Sequence, residues 1–202
     1  WDGAGNLFTV SNGPDAHAPE EMDAIVPPSR GEAPRHHGFP YQFGDAPADR
    51  KWYAHTPVPP PPADANYVLP VLNLGPAALM AGKPTSTFNA HSSPTGLLWL
   101  GQDWPESVRN RFLVGRLGSF LAGPVAGEEH GFDVLSMQLE RRADGRWTAR
   151  THAFLAPLGR PIDVHIGAPG KLYVLEYTRP TKLKGGAGWL PGRVLELAVT
   201  AR

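Results

Sequence analysis

Four apolar runs follow one another between Leu97 and Leu155, and their succession restricts the fold more than any other feature. Leu97–Leu100 (LLWL), Arg111–Arg116 (RFLVGR), Phe132–Leu139 (FDVLSMQL) and Arg146–Leu155 (RWTARTHAFL) are rich in β-branched and aromatic residues, with turn signals between them. Ala143–Asp144–Gly145 is a tight-turn sequence joining the last two. The pattern predicts one consecutive antiparallel sheet.

A second group, Pro161–Ile166 (PIDVHI), Lys171–Tyr177 (KLYVLEY) and Arg193–Val199 (RVLELAV), predicts three more strands before the sequence stops at Arg202. A further strand is expected at Asn6–Ser11 (NLFTVS). Trp1–Ser11 resembles Gly167–Tyr177: each has a Gly turn, then an aromatic residue and a Val at alternate positions. The later copy has a strand before its turn and the earlier copy has none. Four-stranded units repeating every ~40–50 residues are the signature of a β-propeller. The expected fold is therefore all-β, residues 1–202 forming one partial propeller of about three blades. Trp1 and Arg202 would be cut ends of the ring. Open strand edges would make such a chain pair or aggregate alone.

Pro and Gly number 23 each, which suits short strands joined by many turns. Six Trp and a hydrophobic content of 41% supply a core. Nineteen basic residues balance nineteen acidic ones with no basic stripe, which argues against nucleic acid as a partner. No run of ~18 apolar residues marks a membrane span. Without cysteine there is neither a disulfide framework nor thiol catalysis. No leader peptide is visible, as expected of a mature secreted chain or an internal fragment.

Between residues 41 and 88 the strand pattern fails. Pro57–Ala63 (PVPPPPA) reads as stiff polyproline II. The stretch is expected to be a surface excursion with a short strand at Tyr67–Leu72, either an interaction site or a passive insertion. A short helix is expected at Pro105–Asn110.

Three stretches together resemble the glucose/sorbosone dehydrogenase family. The first is Gly5–Pro40, with NLFTVSNGPDAHAPEEMDAI followed by HHGFPYQFG; the second is Ala90–Ser119 (AHSSPTGLLWL, then NRFLVGRLGS); the third is Gly159–Tyr177 (GRPIDVHIGAPGKLYVLEY), followed by PGRVLEL. They occur in the family's order, and residues 41–88 match poorly. The resemblance implies the C-terminal part of a six-bladed propeller with pyrroloquinoline quinone in a central pocket. It also implies one Ca²⁺ on the quinone, further structural Ca²⁺, an aldose or polyol substrate, and a periplasmic or extracellular location. An N-terminal portion or companion chain would complete the blades, with a cytochrome or a larger complex as electron-accepting partner.

Carried onto this sequence, the resemblance implies that the carbonyls of Gly13 and Pro14 hold the quinone's Ca²⁺, with Asn12 against the quinone. Carbonyl oxygen is a hard donor suited to that ion, although an ordinary Asn-Gly turn has the same sequence. Glu20 and Glu21, with a carbonyl near His37, would hold a structural Ca²⁺; otherwise they form a solvated acidic turn. His36 and His37, adjacent on an extended segment, should point to opposite faces and not chelate one ion. Arg160 would face the quinone's carboxylates. The family's lysine falls at Gly118 and its second arginine at Ile162, leaving Arg116 as a substitute cation. The family's general base, a His, lies N-terminal to this sequence, so no catalytic residue is assigned among its histidines. His91, Ser92 and Ser93 are expected to cap a turn, since no G-x-S-x-G accompanies them. Two alternatives remain: a non-catalytic propeller scaffold, and a metal-assisted lactonase needing a ring of carboxylate and Asn ligands.

Overall fold

The computed structural model describes residues 1–14, 18–47, 60–80, 83–84, 86–119, 130–179 and 190–200. Fourteen strands are assigned among them: β1 (Leu7–Ser11), β2 (Glu21–Ile25), β3 (Gln42–Phe43), β4 (Ala46–Pro47), β5 (Leu72–Asn73), β6 (Leu79–Met80), β7 (Lys83–Pro84), β8 (Pro94–Leu100), β9 (Arg111–Arg116), β10 (Asp133–Arg141), β11 (Trp147–Leu155), β12 (Pro161–Ile166), β13 (Lys171–Arg179) and β14 (Leu190–Ala198). Three sheets organise the molecule: a β1–β2 pair, a five-stranded sheet ordered β5-β11-β10-β9-β8, and a three-stranded sheet ordered β12-β13-β14. The four runs between Leu97 and Leu155 form the expected antiparallel meander. β5 adds to it in parallel, with Leu72 beside Thr148 and Asn73 beside Ala149.

The middle sheet is apolar on both faces, and each face fills a different core. Phe112, Val114, Leu135 and Met137 point one way and pack with Phe8 and Met22 of the β1–β2 pair. Leu100, Leu113 and Val134 point the other way and pack with Val164, Leu172 and Val174 of the three-stranded sheet. Residues 133 to 137 are accordingly all buried, which turns the usual strand alternation into a continuous run. β13, covered on one face, keeps the alternation.

The second and third sheets meet at β8 and β12. A Cβ at Gly96 would lie 2.7 Å from the Cα of Asp163, so the two backbones touch where only glycine fits.

Three local expectations change. Pro105–Asn110 forms a single turn, with the amides of Val108 and Arg109 both donating to the Pro105 carbonyl at 2.9 Å, rather than a helix. The strand expected at Tyr67–Leu72 is an isolated bridge from Tyr67 to His36, followed by β5. Part of the 41–88 stretch, expected at the surface, is interior: Val71, Asn73, Ser86, Thr87 and Phe88 are fully buried. Asn73 Nδ2 donates to the Thr87 carbonyl and to Thr151 Oγ1, both at 2.9 Å, which lets a polar segment close the core. Residues 57–59 of the Pro57–Ala63 segment lie outside the described residues.

Among the described residues β14 offers an unpaired edge. It carries Val194 61% exposed and Leu190 37% exposed. No helix among those residues is long and apolar enough to cross a membrane.

Candidate functional site

β1 and β2 bring the first candidate residues together. Ser11 stands opposite Glu21 and Thr9 opposite Asp23. The connection begins with Asn12–Gly13–Pro14 and passes close under Pro19: a Cβ at Gly13 would sit 2.8 Å from the Pro19 carbonyl oxygen. Glycine is needed there for close approach of two backbone segments.

The acidic pair is divided by the pleat of β2. Glu20 and Glu21 are each only 4% exposed, so neither belongs to a solvated turn. Adjacent residues face opposite ways. Glu20 turns inward, where Ser92 Oγ donates to it at 2.8 Å and the Ser93 amide at 2.5 Å. Those two bonds make the His91–Ser93 segment a cap on a buried carboxylate. Burial pushes the Glu20 carboxyl up to about 7, against the pull of both serines and of Arg116.

Glu21 faces a cavity of about 380 Å³ that Asn12, Asp23, Arg35, His37 and Phe43 also line. The Gly44 amide donates to Glu21 Oε1. Burial, with added repulsion from Asp23 and Asp45, raises Glu21 to about 8. Asp23 is also raised by burial, against the opposing influence of His37. Asp23 Oδ1 and His37 Nδ1 stand 3.5 Å apart, and neither buried atom makes a hydrogen bond. His36 accepts from the Gly38 amide at 3.0 Å and packs edge-on against Tyr67. Both histidines nevertheless border the same cavity, and both rings are half-buried, so the expected separation onto opposite faces does not keep either of them from it.

The cationic candidates lie at a second junction. Arg116, at the end of β9, grips Asp133 with Nε at 2.8 Å and Nη2 at 2.6 Å, both side chains being buried. Its Nη1 is buried without a hydrogen bond. Arg160 Nη2 donates to the Ser119 carbonyl at 2.7 Å, and Nη1 reaches those of Leu117 and Gly118 at 3.4 and 3.3 Å. Its guanidinium also lies 5.3 Å from the centre of the Phe132 ring. Gly118 has φ +82°, and a Cβ on it would fall 2.6 Å from Phe132 Cζ. The position the resemblance gives to a lysine is thus closed by an aromatic ring.

The structure gathers Asn12, Glu21 and His37 around one cavity and sets Glu20, Arg116 and Arg160 elsewhere. Sequence reasoning missed Asp23, Asp133 and Phe132. Asp23 was accessible through strand parity, since it shares a face with Glu21. Asp133 was not, because its pairing with Arg116 depends on a register fixed across the long 117–132 connection.

The donor set fits a hard cation better than it fits the quinone. Glu21, Asp23 Oδ1, which accepts no hydrogen bond, and the Asn12 side chain bring oxygen donors to a roomy cavity that Arg35 and the two histidines also line. Among the described residues no three His, Asp or Glu side chains converge on a single point, so carbonyls and water would have to complete the shell. The quinone's carboxylates fit poorly. Asp133 and three backbone carbonyls engage the two arginines, and Arg116 Nη1 alone is unpaired.

No protein-family profile matches the chain, and no curated protein matches it. Its fold is similar to a crystallised "putative oxidoreductase (glucose dehydrogenase)" of Thermus thermophilus, with a TM-score of 0.53 and 22% identity. The match covers 96% of this chain and 42% of that one, so the chain spans less than half the length of its structural neighbour. The likeness is one of fold: all-β, built from antiparallel sheets, and consistent with part of a propeller.

Proposed function

We propose that this chain is a section of a six-bladed propeller of the quinone-dependent sugar dehydrogenase kind and supplies a calcium-binding wall. The observation that carries this reading is the cavity where Asn12, Glu21, Asp23 and His37 converge beside the Gly13 turn. Two buried carboxylates raised by desolvation, Glu21 also by the charge of Asp23, are poised to exchange protons for a divalent cation. The carbonyls of Gly13 and Pro14 would hold the quinone's Ca²⁺, and Glu21 with Asp23 a structural one. The quinone's carboxylates and the general base would then be served mainly from outside this chain, with Arg116 Nη1 the local donor. A periplasmic or extracellular setting and a cytochrome-type acceptor belong to the same reading.

Calorimetric titration of the complete protein with Ca²⁺, followed by addition of pyrroloquinoline quinone and aldoses, tests both parts. Calcium binding lost in Asp23→Asn, with quinone reduction in the wild type, supports them. Absence of any calcium heat sinks the wall, and calcium binding without quinone reduction sinks the dehydrogenase. The second outcome would favour a non-catalytic propeller scaffold. The internal pairing of Arg116 with Asp133 and the ring that closes Gly118 support that alternative.

A further inference from the structure

On the far side of the middle sheet, away from the calcium cavity, the second and third sheets part to leave a cleft of about 480 Å³. That is the size of a small-molecule site. Its lining includes apolar side chains, Phe154 of β11 and Leu197 of β14 among them. Hydrogen-bond donors stand with them: Ser107, Arg111, Ser136 and His152. No acidic side chain lines it among the described residues.

Ser136 is the telling residue. It sits in the middle of β10, directly opposite Leu113 on one side and His152 on the other. Two residues before it on the same face is Val134, which is fully buried in the core. Ser136 itself is 5% exposed, and its hydroxyl makes no hydrogen bond. A buried hydroxyl left unpaired at an otherwise apolar position carries a desolvation cost, and a bound partner would remove it. Arg111 lies two residues from Leu113 on β9 and so shares that face; diagonal neighbours across a sheet are within reach of a long side chain. It makes no ion pair with any described residue.

We propose that this cleft binds a small amphipathic carboxylate, an aliphatic or aromatic acid. The carboxylate would accept from the Arg111 guanidinium and the Ser136 hydroxyl, with His152 beside them. Its hydrocarbon part would lie against Phe154 and Leu197. Guanidinium and hydroxyl donors with no competing acid select an anion, and the apolar lining selects a hydrophobic tail over a hydrated inorganic ion. This site is independent of the calcium and quinone reading.

The test is titration of the full chain with benzoate and with hexanoate, followed by calorimetry and by melting temperature. Benzamide and hexanamide serve as uncharged isosteres. Binding of at least one acid is expected, with the amides at least tenfold weaker. Arg111→Gln should weaken the acid at least tenfold, and Ser136→Ala severalfold. Both variants should keep the unliganded melting temperature within a few degrees, which separates lost binding from lost folding. The proposal is overturned if neither acid binds, if acid and amide bind alike, or if Arg111→Gln leaves the affinity unchanged.

Discussion

Glu21 should make this protein less stable as the pH rises from mildly acidic to mildly alkaline, and Glu21→Gln should remove that dependence. An exposed glutamate loses its proton near 4.5, whereas in the folded chain Glu21 holds it to about 8. Between those values the folded state binds more protons than the unfolded state, so stability falls as pH rises. It is fully present below about pH 4.5 and is lost as pH passes through about 8. The slope for one group is about 1.4 kcal/mol per pH unit. From pH 5 to pH 8 the loss from Glu21 is on the order of 4 kcal/mol, a large share of the roughly 5–15 kcal/mol that holds most domains folded. Glutamine keeps the oxygen that accepts from the Gly44 amide and carries no charge. E21Q should match the wild type at pH 5 and exceed it at pH 8. Urea unfolding at pH 5, 6, 7 and 8, in chelator and followed by tryptophan fluorescence, measures the difference directly. Glu20 adds its own fall up to about pH 7, but it is common to both proteins and cancels in the comparison. An E21Q effect that is constant across the four pH values would refute the reasoning, because it would mean that the side chain is ionised or protonated alike in both states.

Asp133→Asn strips the counter-charge from buried Arg116 and should cost about 3–5 kcal/mol in urea unfolding; a loss below ~1 kcal/mol would show that water reaches the guanidinium. Gly118→Lys should destabilise by more than ~2 kcal/mol, through a left-handed backbone and collision with Phe132, and Phe132→Ala in the same chain should recover part of that loss. If G118K alone melts like the wild type, the ring does not close that position. Val194→Lys on the open edge of β14 should reduce self-association in light scattering, and an unchanged size distribution would show that the edge is already covered.

The strand groups were legible because their signals are local. RWTARTHAFL and KLYVLEY carry β-branched and aromatic residues between turn signals, and no tertiary contact is needed to read them. What lay hidden was the handedness of each side chain within a strand. Glu20 and Glu21 read as a pair along the chain, yet the pleat sends one to Ser92 and the other to the cavity beside Asn12. Asp23 belongs to the cavity for the same reason, and counting by two along β2 would have found it. The burial of Ser86, Thr87 and Phe88 was hidden more deeply. Their bonds go to Glu20, Val71 and Asn73, and polar residues that pair only after folding look from sequence like any exposed loop. Arg116 and Arg160 were visible as cations, but Arg116 meets Asp133 from across the 117–132 connection and Arg160 meets carbonyls that are distant in sequence.

The contact at Gly96 bears on how such a fold survives divergence. There the second and third sheets are held apart by main chain alone, with no side chain between Gly96 and the Asp163 backbone. The angle between the sheets is therefore set by atoms every residue possesses, so the apolar residues farther out can be exchanged without tilting one sheet against the other.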